Sequence, residues 1–65
     1  MACEQFKQQI KSLEQEKHDL QDELQEASPS DKPAIVANIE AVSYTIQQVK
    51  KQLEACITAA GLPNN

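Results

Sequence analysis

Two cysteines, one histidine and a group of carboxylates are the residues of this 65-residue chain whose chemistry could serve a site. Cys3 and Cys56 can form a disulfide. Two thiols are too few for a zinc site, because a structural zinc ion is held by about four protein ligands. His18 is the single imidazole, and a catalytic base needs a pocket and an orienting partner. We expect His18 to be a solvated helix residue, with Glu14 four positions earlier as the partner of its protonated form. The sequence therefore predicts no catalytic residue, no cofactor and no metal ion.

Five acidic residues gather in the middle of the chain, and they could attract a cation or a basic partner. They are Asp19, Asp22, Glu23, Glu26 and Asp31. A calcium loop needs ligands at alternating positions in a glycine-containing loop, which this segment does not have. Most of the five fall near the carboxyl end of a predicted helix, where the helix dipole disfavours acids. We expect these acidic residues to form a solubilising surface. A binding role stays open, because the acids occur at a place where the helix dipole disfavours them.

Composition excludes several classes of protein. Ten acidic residues against six lysines give a net charge of −4, and there is no arginine, which disfavours binding to duplex nucleic acid. No apolar run approaches the roughly 20 residues of a membrane span. The start at Met1 lacks the basic and apolar regions of a signal peptide, so we expect a cytoplasmic protein. Cytosolic cysteines are usually free thiols.

The positions of the apolar residues predict two helices. In the first half the spacings alternate between 3 and 4, with one polar member, along Cys3, Phe6, Ile10, Leu13, Lys17, Leu20, Leu24 and Ala27. In the second half the same alternation runs along Ile35, Ile39, Val42, Ile46, Val49, Leu53, Cys56 and Ala60. This is the heptad pattern of helices that pack along a narrow stripe, here called the seam. The fold class is therefore all-α.

The ends of the helices are also marked in the sequence. Two prolines and two serines lie within residues 28–33 and indicate a break. Ser30 or Asp31 can cap the second helix, with Pro33 in its first turn, and Gly61 followed by Leu62 predicts a left-handed stop with Leu62 against Ile57. We expect one domain over residues 1–65, with helix 1 at about 2–27, a turn at 28–31, helix 2 at about 32–60 and a tail at 61–65.

A short link makes the two helices antiparallel neighbours, and this fixes their register. The residue numbers of two facing residues then always add to the same value. A link over residues 28–31 sets that value at 59. A sum of 66 also aligns the seams, but it leaves 32–38 as loop. The predicted layers are Leu24–Ile35, Leu20–Ile39, Lys17–Val42, Leu13–Ile46, Ile10–Val49, Phe6–Leu53 and Cys3–Cys56. The architecture is an antiparallel two-helix coiled-coil hairpin.

Cys3 and Cys56 thus share the layer at the open end of the hairpin. One interpretation is a disulfide that closes a loop of more than fifty residues, worth about 4 kcal/mol in the chain-entropy model. The other is that two small free thiols fill a narrow layer. Lys17 lies in the seam, where we expect it to extend to solvent towards Glu14 and to set the register or the association state.

The second helix is apolar beyond its seam. Residues 33–49 carry one charge, at Glu40, and Val36 and Ile57 flank the seam. The outward side carries Ala34, Ala37, Ala41 and Tyr44, where helix 1 has Gln8, Gln15 and Asp22. Helices that are apolar on more than one face are usually buried on more than one face. We predict that this side is an interaction surface, for a second copy in a four-helix bundle or for another helical protein. The alternative is that alanine is there as a good helix former.

Three functions remain open, none of them enzymatic, because no nucleophile–base pair or pocket can be assembled. The first is a non-enzymatic protein–protein interaction or assembly module. The second is a small RNA-binding hairpin that uses Lys7, Lys11, Lys50, Lys51 and the glutamines, and the third is a thiol/disulfide-responsive hairpin. In shape and length the hairpin resembles the plasmid repressor-of-primer family, whose helical hairpins dimerise and bind RNA. That resemblance includes no sequence motif and transfers no functional residue.

Overall fold

A computed structural model describes residues 3–61 as two helices packed against each other. Helix α1 is Glu4–Glu26, with 23 residues, and helix α2 is Lys32–Ala60, with 29 residues. Together they form a hairpin with extents of 48 × 16 × 14 Å, and no strand occurs within residues 3–61. The prediction of an all-α helical hairpin is confirmed. The expected start of the first helix near residue 2 and the tail beyond Gly61 lie outside the described residues.

Burial along α1 follows its predicted seam. Phe6, Ile10, Leu13, Lys17, Leu20 and Leu24 are half-buried, and every other residue of α1 is exposed. Just outside the helix, Cys3 is buried and Ala27 is half-buried. Because the protected positions recur at spacings of 3 and 4, α1 presents one stripe to α2 and its remaining surface to solvent. No residue within α1 is fully buried.

The core of the hairpin comes mostly from α2. Ile35 and Ile46 are each 6% exposed and Val49 is 8% exposed. The other seam residues of α2 are half-buried, except Ala60, which is exposed. β-branched residues pack these layers in spite of their weak helix propensity. The result is a narrow core between two helices that leaves the far side of each helix without a protein neighbour among residues 3–61.

The turn between the helices is held by Ser28. Ala27 adopts an extended conformation with φ −75° and ψ 149°, which ends α1. The backbone N–H groups of Asp31 and Lys32 both donate to the carbonyl oxygen of Ser28, at 2.9 and 3.2 Å. The Ser28 hydroxyl donates to the Asp31 carboxylate at 3.0 Å. These bonds reverse the chain within residues 27–31 and make α1 and α2 neighbours.

The two ends of α2 differ in how closely they match the expected caps. Asp31 is the N-cap residue, but its side chain makes no capping hydrogen bond. Its φ of −91° and ψ of −19° are helical, whereas a capping side chain normally needs an extended backbone to reach back to the helix N–H groups. At the other end Gly61 has a φ of 70°, and its N–H donates to the carbonyls of Ile57 and Thr58. The left-handed glycine stop is confirmed, and the expected Leu62–Ile57 contact falls outside the described residues.

Candidate interaction surface

The open end of the hairpin is held by Cys3 and Cys56. Their sulfurs lie at disulfide-bonding distance, with the Cα atoms 5.9 Å apart across a sequence separation of 53 residues. The prediction that the two cysteines are close enough to bond is confirmed. Since both helices rise about 1.5 Å per residue, ten residues along each helix from this layer bring Leu13 level with Ile46. The residue numbers of the paired cysteines add to 59, which is the constant sum predicted for facing residues of the two helices.

One ion pair joins the two helices. Lys50 Nζ lies 3.8 Å from Glu14 Oε2, and both side chains are more than half exposed. Glu14 directly follows the seam residue Leu13, and Lys50 directly follows Val49, so the two lie on the same flank of an antiparallel pair. The expectation that Glu14 pairs with Lys17 or with His18 was wrong, because the partner helix brings Lys50 to it instead.

His18 pairs along its own helix. His18 Nδ1 lies 3.6 Å from Asp22 Oδ2, and both side chains are about two-thirds exposed. Asp19 accepts a hydrogen bond of 3.1 Å from the side chain of Gln15. The ligand atoms of His18, Asp19 and Asp22 lie within 4.8 Å of one another. All three are exposed side chains on one helix, which is the arrangement of an ordinary solvated surface.

Lys17 is half-buried at its seam position, as its place in the heptad requires. Its long aliphatic stem can pack between the helices while the ammonium group reaches water. The carboxylate that it was expected to approach, Glu14, is paired with Lys50. The setting of the register by Lys17 stays a prediction.

The outward side of α2 is open to solvent along half the helix. We call its residues Ala34, Ala37, Ala41 and Tyr44 the alanine face, and all four are exposed. Tyr44 is 64% exposed and the neighbouring Val36 is 41% exposed. Thr45 directs its hydroxyl to the carbonyl oxygen of Ala41 at 3.0 Å, so its polar group is satisfied within the helix. This side of α2 therefore presents small and apolar groups at close spacing.

Two shallow grooves lie between the helices. The first has a volume of about 440 Å³ and is lined by Gln8, Gln9, Ser12, Leu13, Thr45 and Val49. The second, at the loop end, has a volume of about 430 Å³ and is lined by Glu23, Glu26, Ala27, Asp31, Ala34, Ile35 and Asn38. Both are open to solvent, and the first mixes amide side chains with the edges of two seam residues. Open depressions of this kind do not enclose a small molecule as ligand pockets do.

Neither described helix combines the length and the hydrophobicity needed to traverse a lipid bilayer. Comparison with protein-family models, with curated proteins and with solved structures found no match.

Proposed function

We propose that this chain is a non-enzymatic protein–protein interaction or assembly module that dimerises into a four-helix bundle. The observation that carries the proposal is the exposure of the alanine face, with Tyr44 at 64% exposed. An aromatic side chain next to alanines supplies both apolar area and room for a close approach of another helix. A solvated face gains nothing from that combination.

The narrow core supports association. Among residues 3–61 the buried hydrophobic side chains are Cys3, Ile35, Ile46 and Val49. Small domains bury a small share of their surface, and those with thin cores often depend on cross-links or oligomerisation. A second hairpin would cover surface that a single hairpin leaves in water.

A self-association experiment tests this function. We expect sedimentation equilibrium to show a dimer at micromolar concentration for the full chain. Ala41→Glu places a carboxylate in the alanine face, and we expect it to weaken the dimer by at least tenfold. Gln15→Glu on the outward side of α1 adds the same charge and should leave the dimer unchanged.

A monomer that persists at high micromolar concentration would contradict the homodimer. The alanine face would then be assigned to another helical protein as the partner. Equal loss of association in Ala41→Glu and Gln15→Glu would indicate that added negative charge, rather than the alanine face, is what the dimer cannot tolerate.

The cysteine pair favours a second candidate, a thiol/disulfide-responsive hairpin. Reduction by an external dithiol would transfer two electrons and two protons to the sulfurs of Cys3 and Cys56, with the dithiol becoming a cyclic disulfide. The open ends of α1 and α2 would then be tethered only by packing. We propose a cytoplasmic location, where such reduction is the ordinary condition. If the helix content and the association state are the same with and without reductant, this candidate is excluded.

A further inference from the structure

The two cysteines that join the helices differ in exposure. Cys3 is 5% exposed, whereas Cys56 is half-buried. A thiolate that attacks a disulfide approaches one of the two sulfurs, and the rate of the reaction depends on which sulfur it can reach. An external thiol therefore has readier access to Cys56 than to Cys3.

The two cysteines also differ in their places on the helices. Cys3 is the N-cap residue of the 23-residue helix α1, and its side chain makes no capping hydrogen bond. Cys56 lies inside α2, four residues before the last helical residue, Ala60. The first turn of a helix carries a partial positive charge and N–H groups without intrahelical partners, and the last turn carries a partial negative charge. A thiolate is therefore more stable at Cys3 than at Cys56.

The charged side chains near the two cysteines leave this difference in place. Glu4 follows Cys3 directly and opposes a negative charge there, but Lys7 Nζ lies 3.8 Å from Glu4 Oε1 and offsets it. The charged residue nearest to Cys56 along α2 is Glu54, and the last turn of α2 contains no basic residue. The surroundings of Cys56 on α2 therefore disfavour a thiolate.

We infer that Cys56 is the site at which an external thiol attacks this disulfide, and that Cys3 is the thiolate released. The attacking thiolate forms a bond to Cys56 Sγ, the bond between the two protein sulfurs breaks, and its electron pair leaves with Cys3 Sγ. The product is a mixed disulfide on Cys56, which makes Cys56 a modification site for small thiols such as glutathione. A second thiolate then attacks the external sulfur of the adduct, which releases Cys56 as a thiolate and completes the two-electron reduction. This inference rests on the proposed thiol/disulfide-responsive function and is independent of the proposed dimer.

A mixed disulfide on Cys56 is incompatible with the closed open end of the hairpin. Cys56 shares its layer with Cys3, and their Cα atoms are 5.9 Å apart. Closely packed layers leave no space for an added tripeptide, so the adduct must displace the start of α1. The next layer, Phe6 with Leu53, is half-buried and holds the following turns together. The modification therefore opens the first turn of α1 and leaves the loop end of the hairpin in place.

Mapping of the adduct on the full, oxidised chain tests the inference. The chain is mixed with reduced glutathione and quenched with acid early in the reaction, before further exchange can move the adduct. Released thiols are labelled with a maleimide at mildly acidic pH, where exchange is slow. Trypsin cleaves after Lys7 and Lys51, so the two cysteines fall on separate peptides. We expect mass spectrometry to show glutathione on Cys56 and the maleimide on Cys3 in at least tenfold excess over the reverse arrangement.

The same reaction in concentrated urea is the matched control. Unfolding exposes both cysteines and removes the helix ends, so the two adducts should form in amounts within about twofold of each other. A preference for Cys56 that persists in urea would assign it to the local sequence, and the inference from the fold would be overturned. Glutathione found on Cys3 as often as on Cys56 in the folded chain would overturn it as well.

Removal of one charge tests the role of Cys3 as the leaving thiolate. Glu4→Gln removes the carboxylate next to Cys3, so the neutral thiol 2-mercaptoethanol should release the Cys3 thiol about twofold faster. Glu16→Gln removes the same charge about three turns further along α1 and should leave the rate unchanged. If Glu4→Gln reacts no faster than the unmodified chain, Cys3 does not take up the negative charge, and its assignment as the leaving thiolate is wrong.

Three outcomes separate this inference from the function on which it rests. If glutathione forms on Cys56 while the helix content and the association state stay the same, the modification site stands and the thiol/disulfide-responsive function is excluded. If the helix content falls on reduction but the adduct maps to Cys3, the function stands and the inference is overturned. If neither cysteine reacts until urea unfolds the chain, both are overturned.

Discussion

Helices α1 and α2 share one seam and differ in almost everything outside it. Ten of the 23 residues of α1 are charged, and its exposed surface is that of a solvated helix. Five of the 29 residues of α2 are charged, and none of them belongs to the alanine face. Each helix packs against the other along the seam, so the packing within the hairpin does not account for this difference in charge.

Helix α2 has more small and apolar surface than its packing against α1 requires. A helix that only packs against its hairpin partner needs one apolar stripe, and α1 has one. Helix α2 has that stripe and additional small and apolar residues, and it contributes three of the four hydrophobic side chains that are buried within residues 3–61. The surplus on α2 is what the proposed dimer would use.

The largest expected effect concerns the bond that joins the two helices at the open end. Reduction of Cys3–Cys56 should lower the free energy of unfolding by about 4 kcal/mol, because the unfolded chain regains the freedom of a 53-residue loop. Thermal unfolding followed by circular dichroism, with and without a dithiol, measures the change. The double variant Cys3→Ser, Cys56→Ser is the control and should not respond to reductant. An unchanged melting temperature of the native chain on reduction would contradict the prediction.

Truncation of one core residue in each helix tests the unequal burial of α1 and α2. Ile46→Ala should cost about 3 kcal/mol, since Ile46 is 6% exposed, and Leu20→Ala about 1.5 kcal/mol, since Leu20 is half-buried. Urea unfolding below the dimerisation concentration gives both values for the single hairpin. If Leu20→Ala costs as much as Ile46→Ala or more, then Leu20 is buried more deeply in solution than its half-buried position in the hairpin indicates.

Lys17 is the polar interruption in the seam of α1, and its replacement tests the cost of that interruption. Lys17→Leu should stabilise the hairpin by about 1 kcal/mol, because a cation near the seam is only partly solvated. Lys11→Leu, at an exposed position of the same helix, should change the stability by less than about 0.5 kcal/mol. If Lys17→Leu destabilises the protein, the lysine makes a favourable contact that its position in the heptad does not predict.

The smallest expected effect concerns the Glu14–Lys50 pair between the helices. Glu14→Gln should cost less than about 0.5 kcal/mol at low salt, because both side chains are more than half exposed. The cost should disappear at high salt. Glu16→Gln, on the other flank, is the matched control for the loss of one negative charge. A cost above about 1 kcal/mol for Glu14→Gln would show that this pair helps to set the register.

Much of the hairpin could be predicted from the sequence because its determinants are local or periodic. The alternation of 3 and 4 marks each half-buried residue of α1, since a helix repeats every 3.6 residues and only one stripe can face a single neighbour. Gly61 ends α2 because glycine adopts a positive φ without steric cost. The shared layer of Cys3 and Cys56 follows from equal numbers of residues on each side of the turn.

The three-dimensional arrangement decided the details that depend on side-chain direction. Glu14 meets Lys50 rather than Lys17 or His18, because the partner helix brings a cation to the same flank. The Asp31 carboxylate accepts a hydrogen bond from Ser28 and does not cap α2, since the backbone of Asp31 is already helical. The sequence by itself determined the two helices, their antiparallel order and the layer of the cysteines, since these follow from periodicity and chain length. Only the tertiary structure decided which charges pair and where the grooves open, because those features depend on how two helices bring distant residues to one flank.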